Sequence, residues 1–293
     1  MKKVLVIIVS YNFEHWIERC LGSLRKSSYH VSVMVIDNCS KDRTTEIIEQ
    51  HYPEVRLIKN KQNLGFGQAN NIGINISLQE DYDAVFLLNQ DAWIDKETIG
   101  TLLKTHQKNP DYGILSPVHL NGKGDKPDHG FSTYTGIKEL YQLSGRNEPV
   151  ESGYINAAFW LIPAKVLREI GGFSPLFYHY GEDTDYINRI KYHGYKIGYV
   201  PSVFGYHDRE FRTADHNTFL RSEKVFLLYE YARINYSFPQ AFGYGVLAAI
   251  KKAGKALAHK KIKDSVAFMQ ITSDILLRTP EVVRTRKINK KKS

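Results

Sequence analysis

The sequence predicts an α/β protein: an open, mostly parallel sheet flanked by helices, with a helical C-terminal extension. Two observations lead to this prediction. Short β-branched runs alternate with helical patterns through the first hundred residues, and helical patterns alone follow from about residue 215. Strands and helices that alternate in this way form right-handed parallel crossovers.

The first half contains four continuous apolar runs that are typical of strands buried on both faces. They lie at residues 4–9, 31–36, 55–58 and 84–88. Apolar residues at helical spacing follow each run, and Asn12 is a candidate N-cap for the first helix. Because ligands bind beyond the carboxyl ends of parallel strands, the polar residues after these runs should share one cleft.

The second half is less regular. Residues 110–160 are rich in Gly and Pro, which predicts loops and irregular strands. Helices are expected from Pro163 to Gly171 and from Glu182 to Gly194, with a strand at 195–200 between that helix and the C-terminal region. Further helices are predicted at about 215–237, 245–259 and 265–277, and residues 287–293 are expected to be disordered.

Composition limits the class of protein. The chain has 293 residues, 42% of them apolar and 24% charged, which excludes a mostly disordered or a polytopic membrane protein. Its two cysteines, Cys20 and Cys39, are too few for a disulfide framework or a four-cysteine zinc site and favour a reducing, cytoplasmic setting. No apolar stretch reaches the length of a membrane span, and the run after Lys3 is too short for a signal peptide.

The positive charge is concentrated at the C-terminal end. Residues 251–293 contain 13 Lys or Arg against three acids, whereas the whole chain carries +9. Residues 245–258 form a basic amphipathic pattern with Val246, Ala249, Ile250, Ala253 and Leu257 on one face, suited to an anionic membrane surface. An ordinary helix packed on the body is the alternative. Nucleic acid is not an expected partner because no recognition motif accompanies the charge.

Two polar sites have the residue types of a metal centre. Asn89-Gln90-Asp91 ends a buried strand, where a carboxylate ligates a hard cation or simply closes a turn. His207 follows a later strand-like run, and an imidazole beside carboxylate oxygens suits manganese better than calcium. A structural or solvated histidine is the alternative.

A third site combines carboxylates with aromatic rings. Glu182 and Asp183 follow an aromatic run that includes Tyr180. Acids at the start of a helix commonly complement the helix dipole. Alternatively, one of these acids is a general base beside an aromatic surface on which a sugar stacks, and Trp160 would be part of that surface.

Taken together, five sequence blocks in order resemble the family 2 glycosyltransferases of GT-A fold, in particular their bacterial rhamnosyltransferase-like branch. The blocks are Ile8–Asn12, Val35–Asp42, Asn63–Gly73, Leu87–Asp91, and Gly171-Gly172-Phe173 running on to Glu182–Asp185. The resemblance covers roughly residues 3–210. It implies a nucleotide-sugar-binding half at 1–105, an acceptor-binding half at 106–212 and a basic helical extension at 213–293.

The resemblance also implies roles for individual residues. Tyr11 would stack on the pyrimidine base, Asp37 would accept a hydrogen bond from the base imide, and Asp183 would be the catalytic base. Asp91 and His207 would hold Mn²⁺ or Mg²⁺. Asn38 and Asn70 would lie near the ribose or phosphates. Asn89 stands where the family often has Asp, which leaves fewer charges on the metal. Further donor contacts are expected at Val9, Ser10, Asn12, Asn63, Gly65, Asn89 and Gln90, and acceptor contacts at Trp160, Tyr180 and Glu182.

The function implied is an inverting hexosyl transfer in cell-surface polysaccharide biosynthesis. A nucleoside-diphosphate sugar, dTDP-rhamnose or a UDP-hexose, would donate to a hydroxyl of a glycan or lipid-linked acceptor. The protein would be cytoplasmic, with peripheral contact at the inner face of the plasma membrane through its basic segment. A sugar-phosphate nucleotidyltransferase and an inactive nucleotide- or glycan-binding scaffold are the alternatives.

Overall fold

The computed structural model describes residues 2–146, 148–209 and 216–292. The chain divides into two compact units. The first contains the residues up to Phe173 and a segment that begins at Gly194, and the second contains Ser174–His193 and the chain after residue 210. Residues 174–193 therefore group with the C-terminal helices.

Strands of the first unit form one sheet, which has nine strands in the described residues. They are β1 (Val4–Ser10), β2 (Ser32–Asp37), β3 (Arg56–Lys59), β4 (Ala84–Leu88), β5 (Ala92–Ile94), β6 (Tyr112–Asn121), β7 (Val150–Glu151), β8 (Phe159–Pro163) and β9 (Lys196–His207). The order is β3-β2-β1-β4-β8-β6-β9-β5, and β7 pairs with β9.

The sheet is mixed rather than mostly parallel. Its first four strands in this order are parallel neighbours, which confirms the predicted crossovers. Strand β8 is antiparallel to β4 and β6, and β5 and β7 are antiparallel to β9, while β6 and β9 are parallel. The antiparallel strands come from the Gly- and Pro-rich region and from a three-residue strand, where periodicity is too short to indicate direction.

Helices of the first unit pack on this sheet. They are α1 (Ile17–Arg25), α2 (Thr44–His51), α3 (Phe66–Gln79), α4 (Thr98–Lys108), α5 (His129–Thr135) and α6 (Ala164–Ile170), with a 3-10 turn at Leu140–Leu143. Helix α3 approaches β1 so closely that a Cβ at Gly73 would lie 2.7 Å from Ile7 Cδ1. A glycine is therefore required at this point of the core.

The second unit is helical. It contains α7 (Glu182–Tyr192), α8 (His216–Ala232), α9 (Phe238–Phe242), α10 (Ala248–Ala258), α11 (Ile262–Leu277) and α12 (Thr279–Asn289), and a π-helical segment, Gly243–Leu247, joins α9 to α10. Its core includes Leu227, Tyr231, Val246, Phe268 and Ile275. Among the described residues, no helix is both long and apolar enough to cross a bilayer.

Two of the local predictions were wrong. Asn12 does not cap α1: it has a φ of +53°, and the residue before the helix is Trp16. The loops and irregular strands predicted for 110–160 are present: β6 is a ten-residue strand, buried along nearly its whole length, whose register with β9 shifts twice. The predicted disorder from Lys287 is also wrong up to Asn289, because α12 extends to that residue and buries Val282 in the core of the second unit.

Candidate active site

The carboxyl ends of β1 and β2 place two polar residues side by side. Ser10 and Asp37 are direct partners in the parallel register, and both are buried. Ser10 Oγ donates a hydrogen bond to Asp37 Oδ1 at 3.0 Å. The predicted meeting of strand ends is confirmed for this pair.

The Asp37 carboxylate is held by three donors. Oδ1 accepts from the hydroxyls of Ser10 and Ser40, and Oδ2 accepts from the Ser40 backbone N–H at 3.0 Å. A carboxylate has about four lone-pair directions, so one acceptor position remains on Oδ2. Ser40, which sequence reasoning did not single out, thus fixes the orientation of this acid.

Hydrogen bonds join the loop after β1 to the loop after β2. Asn12 N donates to Ser40 Oγ at 2.9 Å, and Asn12 Oδ1 accepts from Lys41 N at 2.9 Å. One residue further along, Phe13 N donates to Thr44 Oγ1 at 2.7 Å. The left-handed φ of Asn12 places its backbone and side chain for both contacts. These hydrogen bonds fix the two loops against each other.

Tyr11 extends from this joined pair of loops. It is 45% exposed, so its ring is available to a ligand. Its backbone is bound by Gln90, whose Oε1 accepts from Tyr11 N at 2.7 Å and whose Nε2 donates to Tyr11 O at 3.2 Å. Gln90 follows β4, so this amide links the end of β4 to the loop after β1. In this structure Gln90 orients Tyr11.

Asn38 and Asn70, which were predicted to lie near the ribose or phosphates, have side chains that contact protein. Both side chains are buried, and both bind protein. Asn38 Oδ1 accepts from Asn60 Nδ2 at 2.9 Å, and Asn38 Nδ2 donates to Gly65 O at 3.3 Å. Asn70 Nδ2 donates to Phe66 O at 3.0 Å. These amides instead stabilise the loop before α3, because their polar atoms have protein partners in the interior.

The same loop contains the other predicted donor contacts. Asn63 is exposed and its Oδ1 accepts from Gly65 N at 2.8 Å, which closes a tight turn. Gly65 has a φ of +78° and immediately precedes α3. Val9, one residue before the end of β1, is only partly buried.

Asp91 and His207 are brought together by the pairing of β5 with β9. The register places Ala92 opposite His207, and Asp208 N donates to Asp91 O at 2.8 Å. The carboxylate Oδ1 of Asp91 lies 3.2 Å from His207 Nε2, and Asn89 Nδ2 lies 3.4 Å from the same nitrogen. His207 is 5% exposed, so the contact is largely shielded from water.

These three side chains fit a divalent cation. Across the described residues, no group of three or more His, Cys, Asp or Glu is placed to hold a metal ion. Asn89 Oδ1, however, is a buried acceptor that has no hydrogen-bond partner in the described residues. Carboxylate, imidazole and amide oxygen together suit Mn²⁺. The residues that would hold it are Asp91, His207 and Asn89.

Arg209 and Asp128 complete the surroundings of His207, and sequence reasoning missed both. Arg209 Nε donates to His207 Nδ1 at 3.2 Å and lies 3.1 Å from Asp128 Oδ2. A guanidinium only donates, so His207 Nδ1 is the acceptor in this contact, and Nε2 is the ring nitrogen that faces Asp91.

In the second unit, Asp183 and Glu182 begin α7 as predicted. Asp183 Oδ1 accepts from Thr184 N at 2.7 Å, and Asp183 is partly exposed. Glu182 is buried, and its Oε2 has no hydrogen-bond partner in the described part of the chain. Burial, followed by repulsion from the Asp183 charge, raises the pKa of Glu182 to about 7.

The two predicted aromatic contacts differ in exposure. Tyr180 is 56% exposed, and its ring lies 4.2 Å from that of His179. Trp160 is fully buried in β8, where it stacks on Phe173 and donates from Nε1 to Ile155 O. The prediction that Trp160 forms part of an acceptor surface does not agree with this burial. An inward-facing position on a central strand decides its environment.

A mixed sheet with this strand order and flanking helices is the GT-A fold of glycosyltransferases. Residues 5–171 match the family model described as "Glycosyl transferase family 2". The chain belongs to this family, and the predicted family, GT-A fold and enzyme class are confirmed.

Two curated relatives show similar identity. The low-salt glycan biosynthesis hexosyltransferase Agl10 of Haloferax volcanii is 27% identical over 230 residues, which cover 76% of this chain and 71% of that protein. The N-acetylglucosaminyl-diphospho-decaprenol L-rhamnosyltransferase of Mycobacterium tuberculosis is 27% identical over 242 residues, which cover 71% of this chain and 76% of that protein.

A solved structure supports the fold. The mannosyltransferase PcManGT of Pyrobaculum calidifontis, in complex with GDP-Man and Mn²⁺, superposes with a TM-score of 0.59 at 17% sequence identity. The match covers 98% of this chain and 86% of that one.

Proposed function

We propose that this protein is an inverting, metal-dependent hexosyltransferase of glycan biosynthesis. It transfers a sugar from a nucleoside-diphosphate donor, dTDP-rhamnose or a UDP-hexose, to a hydroxyl of a glycan or lipid-linked acceptor. The two curated relatives, one a hexosyltransferase of glycan biosynthesis and the other a rhamnosyltransferase named for a diphospho-decaprenol, support this substrate class. Two free cysteines are compatible with a cytoplasmic location.

The observation that carries the proposal is the oriented Asp37 carboxylate close to the exposed Tyr11. Uracil and thymine have an imide N–H, and the remaining acceptor position on Asp37 Oδ2 suits that donor. The Tyr11 ring offers a face for stacking, and Gln90 holds its backbone. Because Ser10 and Ser40 already orient the carboxylate, base binding does not require it to reorganise.

Asn89, Asp91 and His207 serve the diphosphate in this proposal. When bound, a divalent cation neutralises charge on the leaving group. Asp91 supplies a carboxylate oxygen, His207 an imidazole nitrogen, and Asn89 the buried amide oxygen that otherwise lacks a partner. The shielding of His207 from water strengthens these electrostatic contacts.

We assign the base to Asp183. An acceptor hydroxyl has a pKa far above 7, so it must lose its proton as it attacks, and Asp183 takes that proton. Asp183 is partly exposed at the beginning of α7, so an acceptor hydroxyl can reach its carboxylate, whereas Glu182 is buried. Tyr178 and Tyr180, both exposed, provide rings for the acceptor sugar.

The proposal is tested by thermal shift with UDP-, dTDP- and GDP-sugars, each with and without Mn²⁺. A pyrimidine donor should stabilise the protein most, and Asp37→Asn should lower its affinity by about 10- to 100-fold, the value of a hydrogen bond to a charged group. Ser40→Ala is the matched control, because it removes one hydroxyl donor to the carboxylate but leaves the acid and the backbone donor of residue 40. Stabilisation by a GDP-sugar alone would contradict the assignment of Asp37.

A further inference from the structure

Helix α11 has two apolar faces, and only one of them is packed. Phe268, Ile271 and Ile275 point into the core of the second unit. A second set is exposed to solvent, and we call it the α11 stripe: Ile262 (64% exposed), Val266 (52%), Met269 (55%), Leu276 (41%) and Leu277 (78%). An exposed apolar set of this size on a folded unit indicates an interaction surface.

The spacing places the stripe on one side of α11. Ile262, Val266, Met269 and Leu276 follow one another at i, i+4, i+7 and i+14, which is one side of an α-helix. Ser273, also exposed, fills the position at i+11. At about 1.5 Å per residue the stripe runs about 20 Å along the helix. An apolar face of this kind, confined to one side, suits a helix that lies in the plane of a membrane surface.

Helix α10 supplies a second exposed set. The prediction that Val246, Ala249, Ile250, Ala253 and Leu257 form one face is only partly correct, because the valine and the two alanines are buried in the core. Ile250 and Leu257 are exposed, as is Leu247 just before α10. Helix α10 therefore packs on the unit with one side and presents larger apolar side chains on another.

Positive charge is concentrated where α10 turns into α11. Lys255, Lys260, Lys261 and Lys263 are all exposed, and we call them the turn lysines. The acid beside them, Asp264, already lies 2.9 Å from His216 Nε2. In the described part of the chain none of the turn lysines has an ion-pair partner, so their charge is available to an anionic surface.

We infer that the α10–α11 hairpin is a docking surface for an anionic lipid membrane. The α11 stripe enters the boundary between headgroups and acyl chains, and the turn lysines bind the headgroups. A lipid surface matches both features at once. A second copy of the chain would bring a second set of turn lysines near the first, and nucleic acid offers no apolar layer for the stripe. This inference does not depend on the donor or base proposed above.

Vesicle flotation with the full chain tests the inference. Vesicles of phosphatidylcholine that contain about 30% phosphatidylserine should bind the protein, whereas vesicles of pure phosphatidylcholine should bind it far less. High salt should weaken the binding to the anionic vesicles. Lys255→Gln, Lys260→Gln and Lys261→Gln together should lower the vesicle affinity about 100-fold, at about fivefold per lysine. The matched control is Lys96→Gln, Lys104→Gln and Lys108→Gln, exposed lysines of the first unit, which should leave binding unchanged.

A second variant tests the α11 stripe directly. Ile262→Gln, Val266→Gln and Met269→Gln change exposed side chains, so circular dichroism should be unaltered while vesicle affinity falls at least about 100-fold. Unchanged affinity in this variant would overturn the inference in favour of charge adsorption alone. Light scattering tests the other occupant. If the native chain is a dimer that binds no vesicles, and the dimer dissociates in this variant, the stripe is an interface with a second copy of the chain. Tighter binding to RNA or DNA than to anionic vesicles would also overturn it.

Discussion

Glu182 should reduce the stability of the fold in a pH-dependent way. Its carboxyl is buried at the first turn of α7, next to Asp183, and its pKa is raised from 4.5 to about 7. Between these two pH values the unfolded chain has lost this proton while the folded chain retains it. The free energy of unfolding therefore falls as pH rises from about 4.5 to about 7 and stays reduced above that.

The size of the effect follows from the displaced pKa. At about 1.4 kcal/mol per pKa unit, the change from 4.5 to about 7 corresponds to about 3 kcal/mol at pH 8. Glu182→Gln keeps the shape of the side chain and removes the charge. We expect this variant to be more stable than the native chain by about 3 kcal/mol at pH 8 and equally stable near pH 4.

Urea unfolding followed by circular dichroism, at steps between pH 4.5 and 8.5, measures this difference. Glu18→Gln, an exposed glutamate in the first turn of α1, is the control and should show no such trend. Asp183→Asn should reduce the difference, because repulsion from Asp183 is the second cause of the raised pKa. The reasoning is refuted if the free energies of unfolding of Glu182→Gln and of the native chain differ by the same amount at pH 5 and at pH 8.

Three further predictions concern the site. Asp183→Asn should lower sugar transfer by about 10²- to 10⁴-fold with donor affinity unchanged in calorimetry, and full activity would remove Asp183 from the role of base. Asp91→Ala should weaken Mn²⁺ binding in the presence of a nucleoside diphosphate by at least about tenfold, because one of the proposed ligands is lost; equal calorimetric affinity would argue against the metal site. Gln90→Ala removes two hydrogen bonds to the Tyr11 backbone, so UDP affinity should fall about tenfold, and an unaltered dissociation constant would show that Tyr11 is ordered without Gln90.

Some positions of the site followed directly from the order of residues. Ser10 and Asp37 each end an apolar run, and parallel neighbours place their carboxyl ends together, so their proximity was predictable without coordinates. The beginning of α7 at Glu182 was predictable too, because acids at one end and Gly194 after the other are ordinary helix boundaries. Both cases depend on local signals.

One contact between two sequence motifs is visible only in the tertiary structure. Asn71 Oδ1 accepts from Phe173 N at 2.7 Å, and Asn71 Nδ2 donates to Phe173 O at 2.9 Å, across 102 residues. A Cβ at Gly172 would collide with Asn71 Oδ1, which explains the glycine before Phe173. Two motifs that look independent along the chain are thus one hydrogen-bonded contact.

By itself, the sequence determined the class of fold, the parallel half of the sheet, the family and most of the polar residues at the strand ends, because these depend on periodicity and on residue types in order. Only the tertiary structure decided that Trp160 is buried, that Asn38 and Asn70 bind protein, that Arg209 contacts His207, and that α11 keeps a second apolar face exposed. Strand partners and burial arise from contacts between distant segments. A local pattern carries no information about which neighbour will cover it.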